Sequence, residues 1–336
     1  MMRGVQAAWP HIGALLAIGA VFAGAAVAND GYAGLGAGGI EFEKSETIEM
    51  AEEDLYLSRS AVRVDYVFRN TGEDDEDAFV AFQLPPLAPI YAELDYALPD
   101  EMRNAGQLNY MRFKAWAEGE PVELSQEVRY YRLCADCDDT GWGLGFLERD
   151  DEELTQRLTA LGVPESYDLG TIRDWFAGLP RAEQAKLKRE GIFIDGEAGP
   201  APMYWMSVRY YWQQIFPAGE DVRISHSYRP VLGASVPAID DDIVAAHCID
   251  AGTMRAIKKA GSRVEGQTYL DYVLTTAGTW KGPIGTFRMT IDKEEAKDIV
   301  SLCAEGVRKT GPTTFVVEKS DYRPREDIRI MFVDVR

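Results

Sequence analysis

The stretch Ala61–Arg69 alternates cleanly over most of its length, and that period-two pattern does most to limit what the chain can become. Val62, Val64, Tyr66 and Phe68 face one way, while Arg63, Asp65 and Arg69 face the other, as in a strand buried on one side. Asn70-Thr71-Gly72 and the acids through Asp77 make a turn. Ala78–Leu84 then returns as a second strand, closed by Pro85-Pro86. Met111–Ala117, the turn Glu118-Gly119-Glu120-Pro121 and the chain from Val122 onward repeat the arrangement, and Glu127–Leu133 adds a strand. Alternating strands joined by short turns point to antiparallel sheets packed as a sandwich.

The period changes after Glu148. Asp151–Leu161 has acids in its first turn, Leu154, Leu158 and Leu161 on one face, and Gly162 then Pro164 beyond its end, which are helix start and stop signals. Thr171–Ala177 and Pro180–Glu190 read as two more helices, the latter entered by proline and stopped by Gly191. Strands resume at Tyr204–Gln213 and Val222–Tyr228. Pro230–Pro237 reads as a domain boundary. Beyond it the pattern is mixed, with helices over Thr253–Ala260 and Glu294–Cys303 and strands over Tyr269–Thr275, Phe287–Ile291, Thr313–Glu318 and Asp327–Val335.

The expected fold is therefore mainly β with α+β character. Residues 29–149 and 200–235 form an antiparallel β-sandwich-like domain, 150–199 a small helical insert, and 236–336 a smaller α+β C-terminal domain. Residues 1–28 read as a signal peptide: Arg3 is the only charge before Asp30, an apolar run covers Ile12–Ala28, and Ala26-Val27-Ala28 is a small-residue cleavage site. The run is too short and too diluted by Gly and Ala for a spanning helix, so no membrane anchor is expected once it is cut after Ala28. The protein is expected in the periplasm or outside the cell.

Charge excludes one class of partner. The chain carries 55 Asp and Glu against 35 Lys and Arg, a net charge of −20, which repels nucleic acid and anionic headgroups. The glycine-rich loop Gly278–Gly285 lacks the GK[ST] ending of a phosphate loop, so nucleotide binding is not supported. Beyond the leader only His226 and His247 remain, too few for a multi-histidine metal centre.

Several stretches taken together resemble a known family. They include Gly38-Gly39-Ile40, Val62-Arg63-Val64-Asp65-Tyr66, Phe82-Gln83-Leu84-Pro85, Phe216-Pro217-Ala218-Gly219, His226-Ser227-Tyr228-Arg229-Pro230, Trp280-Lys281-Gly282-Pro283-Ile284-Gly285 and Thr310-Gly311-Pro312. The combination resembles the bacterial exported family called domain of unknown function 4424, over nearly the whole chain after the leader. That resemblance implies a secreted or periplasmic bacterial protein and brings no catalytic residues with it.

Candidate sites follow from residue type. Cys134-Ala135-Asp136-Cys137 follows a strand and precedes acids, which raise a thiol pKa, so it reads as a loop disulfide and not a redox site. The expected pairing is Cys134–Cys137 and Cys248–Cys303, each bridge within one domain. Cys134, Cys137, His247 and Cys248 have zinc-ligand chemistry, but neighbouring His247 and Cys248 fit one metal poorly, and no metal or cofactor is expected. Asp240-Asp241-Asp242 and the Glu73–Asp77 run lack the spacing of a calcium loop and read as solvated acidic loops.

Tyr204, Trp205, Tyr210, Tyr211 and Trp212 lie on one strand and could contact a glycan or protein partner, with packing beneath the helical insert as the plainer reading. His226 is the alternative catalytic residue, although no G-x-S-x-G elbow precedes it. The function expected is a non-catalytic binding protein of the envelope or extracellular space. The alternatives are a hydrolase of envelope glycan or peptide polymer and a structural envelope component.

Overall fold

The computed structural model describes residues 31–36, 39–84, 87–92, 108–134, 145–146, 152–196, 198–235 and 238–336. The expected leader lies outside the described residues. Strand Val62–Asn70 sits centrally in an eight-stranded sheet, its even-numbered residues buried and its odd-numbered ones facing out. Ile48–Ser58 pairs antiparallel on one side of it, with Leu55 opposite Val64. Asp221–Tyr228 pairs on the other, with His226 opposite Val64.

A second, six-stranded sheet is built around Tyr204–Phe216, flanked by Glu76–Gln83 and Ser125–Cys134. The glycine-rich N-terminal stretch forms the hairpin Gly31–Gly36 and Gly39–Phe42 at its edge. The two sheets face each other across one aromatic core. Phe82 of the second sheet stacks on Phe113 at 4.1 Å and meets His226 of the first at 5.1 Å, while Phe68 meets Phe216 edge-on at 6.1 Å. Aromatic pairs of this kind add about 0.5–1.5 kcal/mol each beyond the area they bury. The chain is a mainly β, sandwich-like α+β fold.

The crossing from one sheet to the other is pinned by a single side chain. Buried Asn70 donates through Nδ2 to the carbonyls of Phe216, at 2.8 Å, and Asp74, at 2.9 Å. Gly219 takes φ +72° in the turn that follows, a conformation open to glycine without strain.

Helices Glu152–Ala160, Leu169–Gly178 and Arg181–Arg189 cover one end of the six-stranded sheet. Leu154, Leu158, Ile172, Phe176 and Leu187 point into the shared core, the periodicity read from sequence. The segment 150–199 is not helical throughout. It ends in the hairpin Phe193–Gly196 with Gly199–Pro202, whose Phe193 packs on Phe176 at 4.4 Å.

The C-terminal third departs most from expectation. Ile284–Asp292, which lies beyond Pro230–Pro237, pairs parallel with Ile48–Ser58 and antiparallel with Thr314–Tyr322. The residues 236–336 therefore contribute strands to the eight-stranded sheet and are not a self-contained α+β unit. With Gly233–Ser235 from before that boundary, they also build a four-stranded sheet in the order Gly233–Ser235, Val264–Tyr272, Ile328–Val335 and Ile299–Leu302. Helices Asp241–Ala246 and Ala251–Ala260 pack on it around Ile249, Tyr269, Met331 and Val333.

The helix expected over Glu294–Cys303 is absent. Glu294 takes φ +65°, and Ile299–Leu302 runs as an edge strand with Ile299 opposite Val333. β-branched Ile299 and Val300 fit that pleated edge better than a helix. The acids at 240–242, expected as a solvated loop, instead begin a helix. Asp240 accepts the Ile243 N–H as N-cap, and Asp241 and Asp242 occupy the first turn, where the helix dipole favours negative charge.

Candidate binding cleft

The residues singled out by type do not converge. Tyr204, Trp205, Tyr210 and Trp212 are all buried, and Tyr211 is half-buried against Phe79 at 5.8 Å. Tyr204, Tyr210 and Trp212 point into the sandwich core, and Trp205 packs with Ala88, Tyr131 and Leu133 on the opposite face. Four of the five are enclosed in the scaffold, and Tyr211 alone of them is half-exposed. His226 is 1 % exposed and ringed by Tyr66, Phe82, Phe113 and Tyr228 at 5.1–5.9 Å. Enclosed between the sheets, it presents no face to a polymer substrate.

Cys248 is bonded to Cys303, so it is no metal thiolate. Cys137 and the loop that follows lie outside the described residues, and with them the expected Cys134–Cys137 bridge. His247 packs on Tyr269 at 5.0 Å, and its carbonyl accepts the Ser301 hydroxyl at 2.9 Å. It serves the four-stranded sheet. Trp280, in the glycine-rich loop, is buried against Phe68 at 4.2 Å and anchors that loop to the core.

A concave site lies elsewhere, between the eight-stranded and four-stranded sheets, with a volume of about 230 Å³. Its floor is apolar: Phe287, Met289 and Val317 come from the first sheet, and Leu274 closes from beside the second, all buried. The ring of Tyr322 lies 5.0 Å from that of Phe287. Burial pushes the Tyr322 phenol above its ordinary value, and the charges of Glu53 and Glu326 add to the effect.

The rim is charged and of both signs. Lys319, Arg323 and Arg325 come from the end of strand Thr314–Tyr322 and the loop after it; Glu305 lies on the turn after Ile299–Leu302, and Glu326 lies on the loop with the arginines. The Lys319 ammonium sits over the Tyr322 ring at 5.3 Å. Asp327 is engaged in the wall itself, accepting from Leu274 N at 3.0 Å, Thr275 N at 3.1 Å and Thr275 Oγ1 at 2.9 Å. The concavity is shallow: its apolar wall is packed shut, and the accessible part is the charged rim.

None of these rim residues stood out in the sequence. Their one local signal is Arg323-Pro324-Arg325-Glu326-Asp327, a dense charged loop between two apolar strands.

The family model described as Domain of unknown function (DUF4424) matches residues 28–331. No curated protein matches the chain. Among solved structures, a putative nutrient binding protein from Legionella pneumophila superposes with a TM-score of 0.42 at 14 % identity, over 86 % of this chain and 68 % of that one. An M1 zinc metallopeptidase mutant from Deinococcus radiodurans, bound to a Tyr-Ser-Ala substrate, superposes with a TM-score of 0.27 at 9 % identity, over 87 % of this chain and 44 % of that one. Superpositions this loose carry no argument about activity.

Proposed function

We propose, for a chain that belongs to the DUF4424 family, the role of an exported, non-catalytic binding protein of the cell envelope or extracellular space. The observation that carries the reading is the cleft between the two sheets, where a buried apolar floor meets a rim of oppositely charged side chains. A concavity rimmed by charges of both signs suits the holding of a small polar solute, with no need for a nucleophile. Export is supported by the Ile12–Ala28 apolar run ending in Ala-Val-Ala and by the Cys248–Cys303 bridge, since such bonds persist in oxidising compartments.

The test is thermal denaturation of the protein lacking residues 1–28 against a panel of small solutes, beside an Ala304→Trp variant that fills the cleft from its wall. A solute that raises the midpoint in the parent and not in the variant supports the role. Solutes that stabilise both proteins equally would place binding elsewhere, and catalytic turnover of any solute would overturn the non-catalytic reading. Cell fractionation with N-terminal sequencing tests export; a first residue of Asn29 is expected, and an intact leader on the cytoplasmic protein would defeat it.

A further inference from the structure

We propose that the Cys248–Cys303 bond is a thiol–disulfide exchange site, opened in the folded protein by a dithiol, and that its opening unlatches one corner of the four-stranded sheet. Both cysteines are exposed, so a thiolate reaches the bridge without prior unfolding. Cys248 holds φ +49°, in the left-handed region, just past the end of helix Asp241–Ala246. Its N–H bonds back to the Ala245 carbonyl at 3.4 Å, and that of Ile249 to the Val244 carbonyl at 3.0 Å, a helix stop at which glycine is the usual residue. A side chain at that position strains the backbone, and the bond to Cys303 is what this one gains in return. Exposed disulfides at strained positions are the exchangeable ones, in contrast to buried structural bridges.

The reduced state has acceptors in place. Cys303 Sγ lies 3.5 Å from the Ala246 carbonyl and 3.9 Å from that of Ala245, to which a thiol donates and a disulfide sulfur cannot. In the exchange, a thiolate of the dithiol attacks one sulfur of the bridge. A mixed disulfide forms as the Cys–Cys bond breaks, and the departing cysteine takes a proton from water. The second thiol of the dithiol, its proton given to water, then displaces the other cysteine, which is protonated in turn. The protein ends with two thiols, reduced by two electrons, and the dithiol leaves as its own disulfide. The elements that the bond joins are lightly held. None of the six side chains of helix Asp241–Ala246 is fully buried, and Ile299–Leu302 lies at the edge of its sheet. The Ser301 hydroxyl on the His247 carbonyl is a polar tie between them. Ala304 and Glu305 follow Cys303 into the concavity between the sheets, so opening the bond loosens one of its walls.

The experiment treats the oxidised protein lacking residues 1–28 with dithiothreitol over a series of urea concentrations below the unfolding transition. New thiols are blocked with N-ethylmaleimide and assigned by peptide mapping. Reduction of Cys248–Cys303 is expected to be first order in dithiothreitol and to stay within about threefold across the series, because attack on the folded protein exposes little new surface. A rate that climbs further with urea would show that the bond opens only through unfolding, and would overturn the site. Amide hydrogen exchange of Cys248→Ser/Cys303→Ser beside the parent reads the latch. Val244, His247 and Ile299–Leu302 should exchange about tenfold faster or more in the variant, through a local opening that urea does not promote, while Val62–Asn70 exchanges only with global unfolding. If the first set keeps the parent's rates, or follows urea as Val62–Asn70 does, the latch is overturned. A variant that fails to fold would overturn it too, and the reduction kinetics of the parent would still decide the exchange site.

Discussion

The guanidinium of Arg59 lies 2.5 Å from a carboxylate oxygen of Asp298, 239 positions further along the chain. Its Nη2 also donates to the Lys293 carbonyl at 2.7 Å, and Glu294 and Asp334 complete a ring of acids around it. The other oxygen of Asp298 accepts the Val335 N–H at 3.1 Å. Arg59 leaves the eight-stranded sheet and Val335 ends a strand of the four-stranded one, so this cluster staples the two sheets that flank the cleft. Arg59→Ala should lose about 2–4 kcal/mol, because it leaves a nearly buried Asp298 without its cation. Urea unfolding measures this, and a loss below about 0.5 kcal/mol would reduce the cluster to surface decoration.

The Cys248–Cys303 bond closes a loop over a sequence separation of 55 and ties the end of helix Asp241–Ala246 to the edge strand Ile299–Leu302. Cys248→Ser/Cys303→Ser should lower stability by about 2–4 kcal/mol, chiefly by freeing the unfolded chain. Non-reducing peptide mapping should recover the two cysteines in one linked pair. Either of them found joined to Cys134 or Cys137 would contradict the bond.

Burial against Tyr269 holds the His247 imidazole below its ordinary 6.5; the Ile243 carbonyl pulls the other way, and Arg329 adds a smaller repulsion. The folded chain therefore takes up this proton less readily than the unfolded one. Its contribution to stability is complete above pH 6.5 and is lost as the pH falls from there through the lowered folded value. The urea midpoint should drop as the pH falls below 6.5, and His247→Gln should flatten that part of the curve. Parallel curves for parent and variant would show that His247 does not carry the effect.

Asp168 caps helix Leu169–Gly178, accepting from Thr171 N at 2.7 Å and Thr171 Oγ1 at 2.6 Å. Those donors hold its carboxyl below the ordinary 3.8, so the stability it confers is present above that value and is lost as acid carries the pH through the lowered one. Asp168→Ala should cost about 0.5–2 kcal/mol at neutral pH, and Asp168→Asn less than Asp168→Ala. Equal losses in the two variants would remove the cap as the cause.

His226 packs between the sheets, and its loss should register as stability. His226→Ala leaves a cavity among Phe82, Phe113 and Tyr66 and should cost about 2–4 kcal/mol. A variant that kept full stability and lost a hydrolytic activity would instead revive the catalytic alternative.

Local pattern carried much of this. The alternation of Val62, Val64, Tyr66 and Phe68 announces a half-buried strand because side-chain direction along a strand depends only on neighbouring residues. The helices of 152–189 are legible for the same reason, through the leucine spacing and the glycine stops. The Cys248–Cys303 pairing was within reach because only a few pairings of four cysteines are possible.

Other features depend on residues hundreds of positions apart. Ile299–Leu302 is a strand because Ile330–Val333 offers it an edge, a partner that the helix-like acids and lysine of 294–298 do not reveal. The aromatics of Tyr204–Phe216 are enclosed because the eight-stranded sheet, the helices and the chain around Ala88 cover both faces, and alternation alone cannot say how many faces a sheet has covered. The parallel register of Ile284–Asp292 on Ile48–Ser58 folds the C-terminal third back onto the sandwich and opens the cleft beside it. Leu274, Met289, Glu305, Lys319 and Arg325 become neighbours only through that return, because strand pairing over such distances is set by which faces and edges the rest of the fold leaves to be buried.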